Sequence, residues 1–412
     1  MDFSLEYTKE QEEFAKEVRQ WIERNIPKNF ERPRDPAKKG DEQRRIRREL
    51  GRKLGEKGWL GPGYPREYGG GDLDIDLRFV LAQEFDKVRV GIPPYDEIGI
   101  ELAAPAIMSC GTEEQKKRFL PPIIKGEVLT WELFTEPEAG TDEANQQTNA
   151  LRHVREKDHF IVNGQKIFVG TPPAPPDQFL LLTRSDLKAP RHENLAMFLT
   201  QANLPGITIQ PLDLFPTGTF AHLTTPAVDK PFEAKHSVFF DDVRIHESCL
   251  IGGERDGWKV VSATLDVEHG GGAARVPREN FAVETFLSHC KSNPNTARRL
   301  KENPQLLYSV VDTYISAQIE RLLSTRNAWL ANSGNHVPYS GPQLGLYTKM
   351  FGCRAIADMA KVLGPYPLID DAEWSLEDDM FEVLQRGGVC TAPAGTPEAQ
   401  RIIISRGLRI GR

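Results

Sequence analysis

The chain has 412 residues, of which 39% are hydrophobic and 27% charged, and its formal net charge is −7 at pH 7. This length is too great for one hydrophobic core and predicts two or three domains. The negative charge argues against nucleic-acid binding as a main function. No apolar run reaches the roughly 20 residues that a membrane-spanning helix needs, so we expect no membrane association.

The cysteines are dispersed and none forms a Cys-x-x-Cys pair, which predicts reduced thiols and gives no metal-spaced Cys/His cluster. We therefore expect no metal site. The acidic start of the chain, Met1 to Glu6, lacks the basic region of a secretory signal, which favours a cytoplasmic protein. Neither a Rossmann glycine motif after a strand nor a P-loop is present in the sequence.

The first part of the chain, residues 1–125, is predicted to be helical because apolar residues recur at helical spacing among charged ones. A loop rich in glycine and proline, Gly61 to Gly71, interrupts these helices. The predicted helices are Thr8–Ile26, Arg44–Lys57, Leu77–Val88 and Ile98–Met108.

Residues 126–245 consist of short apolar or β-branched runs between Pro, Gly, Asp and Asn, which predicts a β-barrel or sandwich domain. Asn163-Gly164 follows the first of these runs and predicts a hairpin turn there. Pro172 to Pro176 predicts a rigid loop. The predicted strands are His159–Val162, Phe179–Thr183, Ala196–Thr200, Ile207–Pro211 and Ser237–Phe240.

Helical patterns return in residues 246–412, with Asp256 placed to cap a helix and with long helices over Leu306–Leu330 and Tyr347–Leu363. Trp258, Val261, Leu265 and Glu268 follow Asp256 at spacings that share one helix face.

The carboxylate of Glu268 lies on an otherwise apolar stripe. Burial disfavours the charged form of a carboxylate and can make it a general base. The alternative is a Glu that pairs with a cation or reaches water at the edge of the stripe. Gly270 to Gly272 come next, and glycine disfavours helix, so their small size favours either room for a bulky group or tight helix packing.

One segment, Phe134 to Asp142, reads Phe-Thr-Glu-Pro-Glu-Ala-Gly-Thr-Asp, and Val162 to Lys166 reads Val-Asn-Gly-Gln-Lys. Gly140 beside Thr141 would let backbone N–H groups approach a ligand closely, and the hydroxyls can donate or accept hydrogen bonds. Such a turn suits a large polar planar cofactor and its phosphates. From the residues alone, an ordinary loop and hairpin is the alternative.

These two segments resemble the flavin-binding signature of the acyl-CoA dehydrogenase family, TEPxAGSD followed by NGxK. The resemblance extends to nearly the whole chain, and it implies an α+β multidomain fold. The domains would be an N-terminal helical domain over 1–125, a middle β domain over 126–245 and a C-terminal helical bundle over 246–412. The further resembling segments are Cys110–Glu127, Phe239–Ile245, Asp256–Lys259 and Gly395–Arg401.

The resemblance implies FAD as the cofactor. Phe168 occupies the place of a Trp that usually packs against the flavin. Gly170 stands where a Thr or Ser usually bonds near flavin N5, and Thr171 offers a hydroxyl one residue later. The implied cofactor contacts are Phe134, Thr135, Gly140, Thr141, Phe168, Gly170, Thr396 and Gln400.

The resemblance also implies that a carboxylate removes the α-proton of an acyl-CoA thioester while the β-hydrogen leaves as hydride. Most members carry that base just before the C-terminal Gly-Thr, where this chain has Ala394. A minority carry it in a pattern like LDxER, which Leu265 to His269 resembles with Glu268 as the base. Asp96 is a lower-ranked alternative base, and helix capping is its commoner role.

Further site residues follow from the same resemblance. Backbone N–H groups near Gly395 and Thr396 are candidate donors to the thioester carbonyl, an oxyanion-hole effect. Leu265, His269 and Gly271 are expected to contact the substrate or coenzyme A. His269 replaces the usual Arg and is either a pH-dependent charge near the base or a packing residue.

Two segments that usually serve FAD across a subunit interface, RxxFG and GGxG, have no counterpart in Cys290–Pro294 and Gly364–Pro367. In this the chain resembles a bacterial heteromeric branch that acts on bulky steroid side-chain CoA esters as α2β2 assemblies. The implied partners are an acyl-CoA and an electron-transfer flavoprotein or similar acceptor, and the implied assembly is a homo- or hetero-tetramer.

Two alternatives stay open: a catalytically incomplete subunit that completes a partner's FAD site, and a monooxygenase or dehydratase on the same fold.

Overall fold

The computed structural model describes residues 7–27, 39–88, 90, 94, 98–170, 175–212, 235–266, 280–333, 335, 337–365 and 395–410. The described elements divide into two compact units. The first unit holds the N-terminal helices, a sheet and one later helix, and the second unit holds the remaining helices.

The helices of the first unit pack around one hydrophobic core that includes Val18, Leu54, Phe85 and Ile107. Two of them begin with a capping box, in which Thr8 pairs with Gln11 and Thr112 pairs with Gln115. The helices are α1 (Lys9–Asn25), α2 (Lys39–Glu56), α3 (Ile75–Lys87), α4 (Ala104–Cys110), α5 (Glu113–Ile124) and α6 (Gly257–Asp266).

The described strands form one mixed sheet in the order β6-β7-β3-β2-β4-β5-β8, and β1 pairs in parallel with β4. β2 also runs parallel to β4, and the other pairs are antiparallel. The strands are β1 (Thr130–Leu133), β2 (Asn149–Arg152), β3 (His159–Val169), β4 (Gln178–Arg184), β5 (Leu195–Gln201), β6 (Ile207–Leu212), β7 (Lys235–His246) and β8 (Leu250–Ile251).

The sheet is buried on both faces at β4, because successive side chains of a strand point to opposite sides. Leu180 and Leu182 pack into the helical core. Phe179 and Leu181 pack into a second core with Phe198 and other strand residues. The helices of the first unit therefore cover one face of the sheet, which explains why β4 is a continuous apolar run.

The predicted hairpin at Asn163-Gly164 is wrong, because both residues lie inside β3, which continues to Val169. The strand pairing shifts register between Val162 and Gly164, which marks a β-bulge. Gly164 has φ of +143°, and a Cβ there would lie 2.6 Å from the Thr148 Cα atom. The extra residue lies on β7, where Asp241 and Asp242 stand opposite Asn163. Asn163 thus lies opposite a bulge of the neighbouring strand, and Gly164 allows a close backbone approach.

The second unit contains helices α7 (Phe281–Ser292), α8 (Pro294–Glu302), α9 (Pro304–Asn332), α10 (Ser340–Leu363) and α11 (Pro397–Gly407). Its core includes Phe286, Val310, Phe351 and Met359. The predicted order of helical, sheet and helical parts is confirmed. The boundaries at residues 125 and 245 stay predictions. No helix in the described ranges is both long and apolar enough to cross a bilayer.

None of the four described cysteines forms a disulfide. Burial raises the pKa of the Cys290 thiol to about 12 and raises the thiol pKa values of Cys110, Cys249 and Cys353. Because the thiolate is the reactive form, we expect these thiols to react with an aromatic disulfide reagent at pH 8 at least about tenfold more slowly than free cysteine.

The measurement is a time course of thiol release in the folded and the denatured protein. The chain has five cysteines, and Cys390 lies outside the described residues. At most one thiol per chain should therefore react fast before denaturation, and all five should react after it. Two or more fast thiols in the folded protein would contradict the assigned burial.

Candidate active site

The segment from Phe134 to Thr148, named here the motif loop, begins directly after β1 and ends at β2. Glu136 and Ala139 exchange two backbone hydrogen bonds, of 2.9 and 3.2 Å, across a turn made by Pro137 and Glu138. The Asn145 side chain donates to the Glu138 carbonyl at 3.3 Å. The turn chemistry of the Glu-Pro-Glu-Ala sequence therefore produces a fixed loop.

A buried ion pair lies behind this loop. Lys166 Nζ is 2.7 Å from Glu136 Oε1, and the two side chains are 0% and 2% exposed. Glu136 also accepts from the backbone N–H groups of Gln147 at 2.6 Å and Thr148 at 3.0 Å. The motif fragments Thr-Glu-Pro and Asn-Gly-x-Lys, far apart in sequence, thus meet through opposite charges.

The outer side of the motif loop carries the residues predicted to meet a cofactor. Gly140 and Thr141 are exposed. A Cβ atom placed on Gly140 would meet no heavy atom of the described residues within 4 Å, and its backbone is not in the left-handed region. Space is therefore open in front of Gly140, although Ala139 next to it is fully buried. A bulky group could approach this backbone closely.

The two residues before the turn, Phe134 and Thr135, are held by the fold of the first unit, and their contacts with a cofactor stay predictions. The Phe134 side chain is 3% exposed and packs in the core of the first unit, so its ring is turned away from solvent. The Thr135 carbonyl accepts from the Ile167 N–H at 3.0 Å, which joins the loop to β3. Thr135 itself is half-buried.

A second irregularity in the pairing of β3 with β7 lies at the end of β3. Between the pairs Lys166–Val238 and Val169–His236, β3 has one residue more than β7. The extra residue places Phe168 at φ of +58° with its ring 51% exposed. A positive φ is strained for an aromatic residue, so the fold holds this ring in an unusual outward position.

Gly170 follows at φ of +103°, a conformation that favours glycine. A Cβ there would lie 3.0 Å from His236 Nδ1 and 3.3 Å from the Trp131 ring. The ring centroids of Trp131 and His236 are 4.8 Å apart. A side chain at this position would therefore crowd His236 and Trp131 and strain the backbone, and Thr171 lies outside the described residues.

The C-terminal motif residues belong to the second unit. Gly395 has φ of +78°, and its carbonyl accepts a hydrogen bond from the buried Lys349 ammonium of α10. The Thr396 hydroxyl caps α11 by accepting from the Ala399 N–H at 3.2 Å. Gln400 is 1% exposed and lies beside Gly345. The hydrogen bond from Lys349 therefore holds the turn at Gly395 against α10.

On α6, Val261 is fully buried, and Trp258 and Leu265 are partly buried against the same core. This confirms that the three share one face of the helix. Asp256 begins α6 through its carbonyl, which accepts from the Val260 N–H, while its carboxylate accepts from the Gly253 N–H. The predicted residues Glu268, Asp96, His269 and Gly271 lie outside the described residues, as does Ala394.

The roles of Lys166 and Glu136 were not predicted, although both stand in the motif. A signal was present in the alternation of β3, where Phe160 and Val162 are buried at even positions. Lys166 continues that series, and a lysine on a buried strand face requires a partner. Among the described residues, no group of three or more His, Cys, Asp or Glu side chains is arranged to hold a metal.

Comparison with known proteins gives matches along the chain. Domain models of the acyl-CoA dehydrogenase family match residues 8–127 (N-terminal), 132–221 (middle) and 255–409 (C-terminal). Acyl-CoA dehydrogenase FadE29 of Mycobacterium tuberculosis is 31% identical over 64% of this chain, and the match spans 62% of that relative, less than two thirds of its length. A short-chain-specific acyl-CoA dehydrogenase of Clostridium acetobutylicum is 27% identical over 98% of this chain and 99% of its own.

Among solved structures, a chain of the Tcur3481-Tcur3483 steroid ACAD superposes with a TM-score of 0.79 and 26% identity, and each chain is covered in full (100%). The three domain matches follow one another in the order of the family and together cover most of the chain, with residues 128–131 and 222–254 between them. Both sequence relatives are named as acyl-CoA dehydrogenases. The chain belongs to the acyl-CoA dehydrogenase family.

Proposed function

We propose that this chain is an FAD-dependent acyl-CoA dehydrogenase that forms an α,β-unsaturated acyl-CoA thioester. The observation that carries the proposal is the open space at Gly140 in a loop that is otherwise tightly bonded. Exposed Thr141 beside it and the outward ring of Phe168 supply hydrogen-bonding and stacking groups. These residues fit a large planar cofactor with phosphates.

In this proposal FAD, when bound, accepts the β-hydrogen as hydride. Gly140 and Thr141 would hold the cofactor through backbone N–H and hydroxyl groups, and Phe168 would pack against it. Glu268 would take the α-proton of the thioester on its carboxylate. Backbone N–H groups at Gly395 and Thr396 would bond the thioester carbonyl and lower the energy of the negative charge that develops there.

The test of the proposal is the visible absorption spectrum of the purified protein, measured alone and after co-expression with a homologous chain encoded nearby. We expect bound flavin in one of the two preparations, at about one per chain or one per pair. A protein that stays colourless in both, and takes up no added FAD, would contradict the proposal.

We further propose that the substrate is a bulky, steroid-derived acyl-CoA and that the chain works in a tetramer with a homologous subunit. The full-length structural similarity to a steroid ACAD that comprises two named components supports this. Electrons would then pass to an electron-transfer flavoprotein or similar acceptor. If flavin binds only when the second chain is present, the proposed role of this chain is to complete the FAD site of that partner.

The surface of α9 supports the assembly. One side of this helix exposes an apolar stripe, and such continuous stripes mark interfaces between proteins. Tyr308, Leu322 and Trp329 are 66%, 66% and 60% exposed. The other exposed apolar residues of α9 are Leu307, Val311, Tyr314, Ile315 and Ile319.

We expect Leu322→Glu to dissociate the assembly, because a carboxylate would have to be buried without a partner in an apolar interface. The measurement is the native mass by light scattering. Val154→Glu is the matched control, since Val154 is 88% exposed and lies in the first unit. The prediction is wrong if Leu322→Glu keeps the native mass of the wild type, or if Val154→Glu loses it equally.

A further inference from the structure

Lys166 lies at the centre of the motif loop without reaching its outer surface. Its ammonium donates to the Phe134 carbonyl at 3.1 Å, to Glu136 Oε1 at 2.7 Å and to the Gln146 side-chain carbonyl. An ammonium has three protons, and these three acceptors use all of them. Because the side chain is 0% exposed, it cannot touch a ligand that lies on the outer side of the loop.

The acceptors of Lys166 are themselves connected to both ends of the loop. The Gln146 amide donates to the Phe134 carbonyl at 3.1 Å and to the Glu143 carbonyl at 2.9 Å. The Glu136 carboxylate receives the N–H groups of Gln147 and Thr148. One buried cation thus joins the start of the loop, its turn and its return to β2.

Keeping the Lys166 ammonium away from water costs free energy. Burial lowers the pKa of Lys166 to about 8, and the attraction of Glu136 and Glu143 offsets only part of that effect. Buried ion pairs contribute little net stability compared with well-packed apolar groups, whereas they impose a specific geometry on what they contact. A role in geometry therefore accounts for Lys166 better than a role in stability.

We propose that Lys166 is a positioning residue for the cofactor: by fixing Phe134, Glu136 and Gln146, it sets the backbone conformation in which Gly140 and Thr141 receive FAD. This inference rests on the proposed function. Lys166 acts through the loop, so its removal should weaken FAD binding and alter the flavin environment without removing a direct contact.

The experiment compares FAD dissociation constants, measured by quenching of flavin fluorescence, for the wild type and three variants. Lys166→Met removes all three hydrogen bonds, and Lys166→Gln keeps a neutral donor on a side chain that is one atom shorter. Val162→Ala is the matched control, because Val162 is fully buried on the same face of β3 and packs in the strand core away from the loop. Thermal unfolding is followed for every variant.

We expect Lys166→Met to raise the dissociation constant at least about tenfold, with an intermediate value for Lys166→Gln, since small displacements of a binding loop are costly. The visible circular dichroism of bound flavin should change as well. Val162→Ala should lower the melting temperature and leave the dissociation constant within about threefold of the wild type. If Lys166→Met does not fold, the FAD dissociation constants of Lys166→Gln and Val162→Ala test the proposal.

The inference is overturned if both Lys166 variants bind FAD within about threefold of the wild type with an unchanged flavin spectrum. It is also overturned if Val162→Ala weakens binding as much as they do, because the effect would then be general destabilisation. A wild-type protein that binds no FAD, alone or with a second chain, instead contradicts the proposed function and removes the inference with it.

Discussion

Replacing Glu268 with Gln is expected to lower kcat for acyl-CoA dehydrogenation by about 10²–10⁴-fold, the range over which a general base contributes. The amide is nearly isosteric with the carboxylate but cannot take the α-proton. FAD binding should be unchanged, because Glu268 is not among the implied cofactor contacts. The measurement is steady-state turnover with an artificial electron acceptor, together with the flavin content of the purified variant.

Asp96→Asn is the matched control for this prediction, since Asp96 is the alternative carboxylate. It should retain turnover within a few-fold of the wild type. If Asp96→Asn loses activity and Glu268→Gln keeps it, the base has been assigned to the wrong residue. If both variants keep full activity, proton abstraction by either carboxylate is excluded.

The second large effect is expected at Gly140. Gly140→Val should fold like the wild type, because a Cβ at this position would lie more than 4 Å from every heavy atom in the part of the chain that the structure describes. The same side chain would occupy the space proposed for the cofactor, so FAD should bind at least tenfold more weakly, a loss of about 1.4 kcal/mol or more. The measurements are the melting temperature of the apoprotein and an FAD titration.

Glu138→Val provides the comparison, because Glu138 is exposed in the same loop two positions earlier. It introduces the same β-branched side chain and should leave FAD affinity unchanged. Normal FAD affinity in Gly140→Val would mean that the cofactor does not approach this backbone. A fall in affinity for both variants would mean that the loop responds to any valine.

The order of helical, sheet and helical parts was predictable because each part has its own periodicity. Helical spacing in α1 and apolar runs in β4 and β5 are local signals, and Thr8 and Thr112 cap their helices through residues three positions later. Such elements depend on residues close in sequence, so a single sequence contains what is needed to find them.

The prediction of a hairpin turn at Asn163-Gly164 was wrong because contacts with residues distant in sequence determine the structure there. An Asn-Gly pair favours a turn locally, but here Gly164 is required by the close approach of Thr148, and the Asn163 side chain bonds Asp242 on β7 at 3.0 Å. Both neighbours are distant in sequence. Tertiary pairing overrode the local turn preference, and the Asn-Gly pair continues β3 opposite a bulge of β7.

The residues of the candidate site also differ in whether nearby or distant parts of the sequence determine their conformation. The motif predicted a turn in this segment, which Glu136 and Ala139 close, because turn residues determine the loop around them. That Gly140 and Thr141 hold a cofactor stays a prediction. It did not predict that Phe168 adopts a positive φ or that Gly170 lies against Trp131 and His236, since both depend on pairing between β3 and β7. The roles of Glu268, His269, Asp96 and Gly271 stay predictions from the sequence.

The measurement that tests the central claim most directly is an anaerobic titration of the flavin-loaded protein with acyl-CoA esters, followed by flavin absorbance. A steroid side-chain thioester should bleach the flavin in proportion to the amount added, and mass spectrometry should show a product that has lost two hydrogen atoms. Flavin that stays oxidised with straight-chain, branched and steroid-derived thioesters alike would contradict the assignment as an acyl-CoA dehydrogenase.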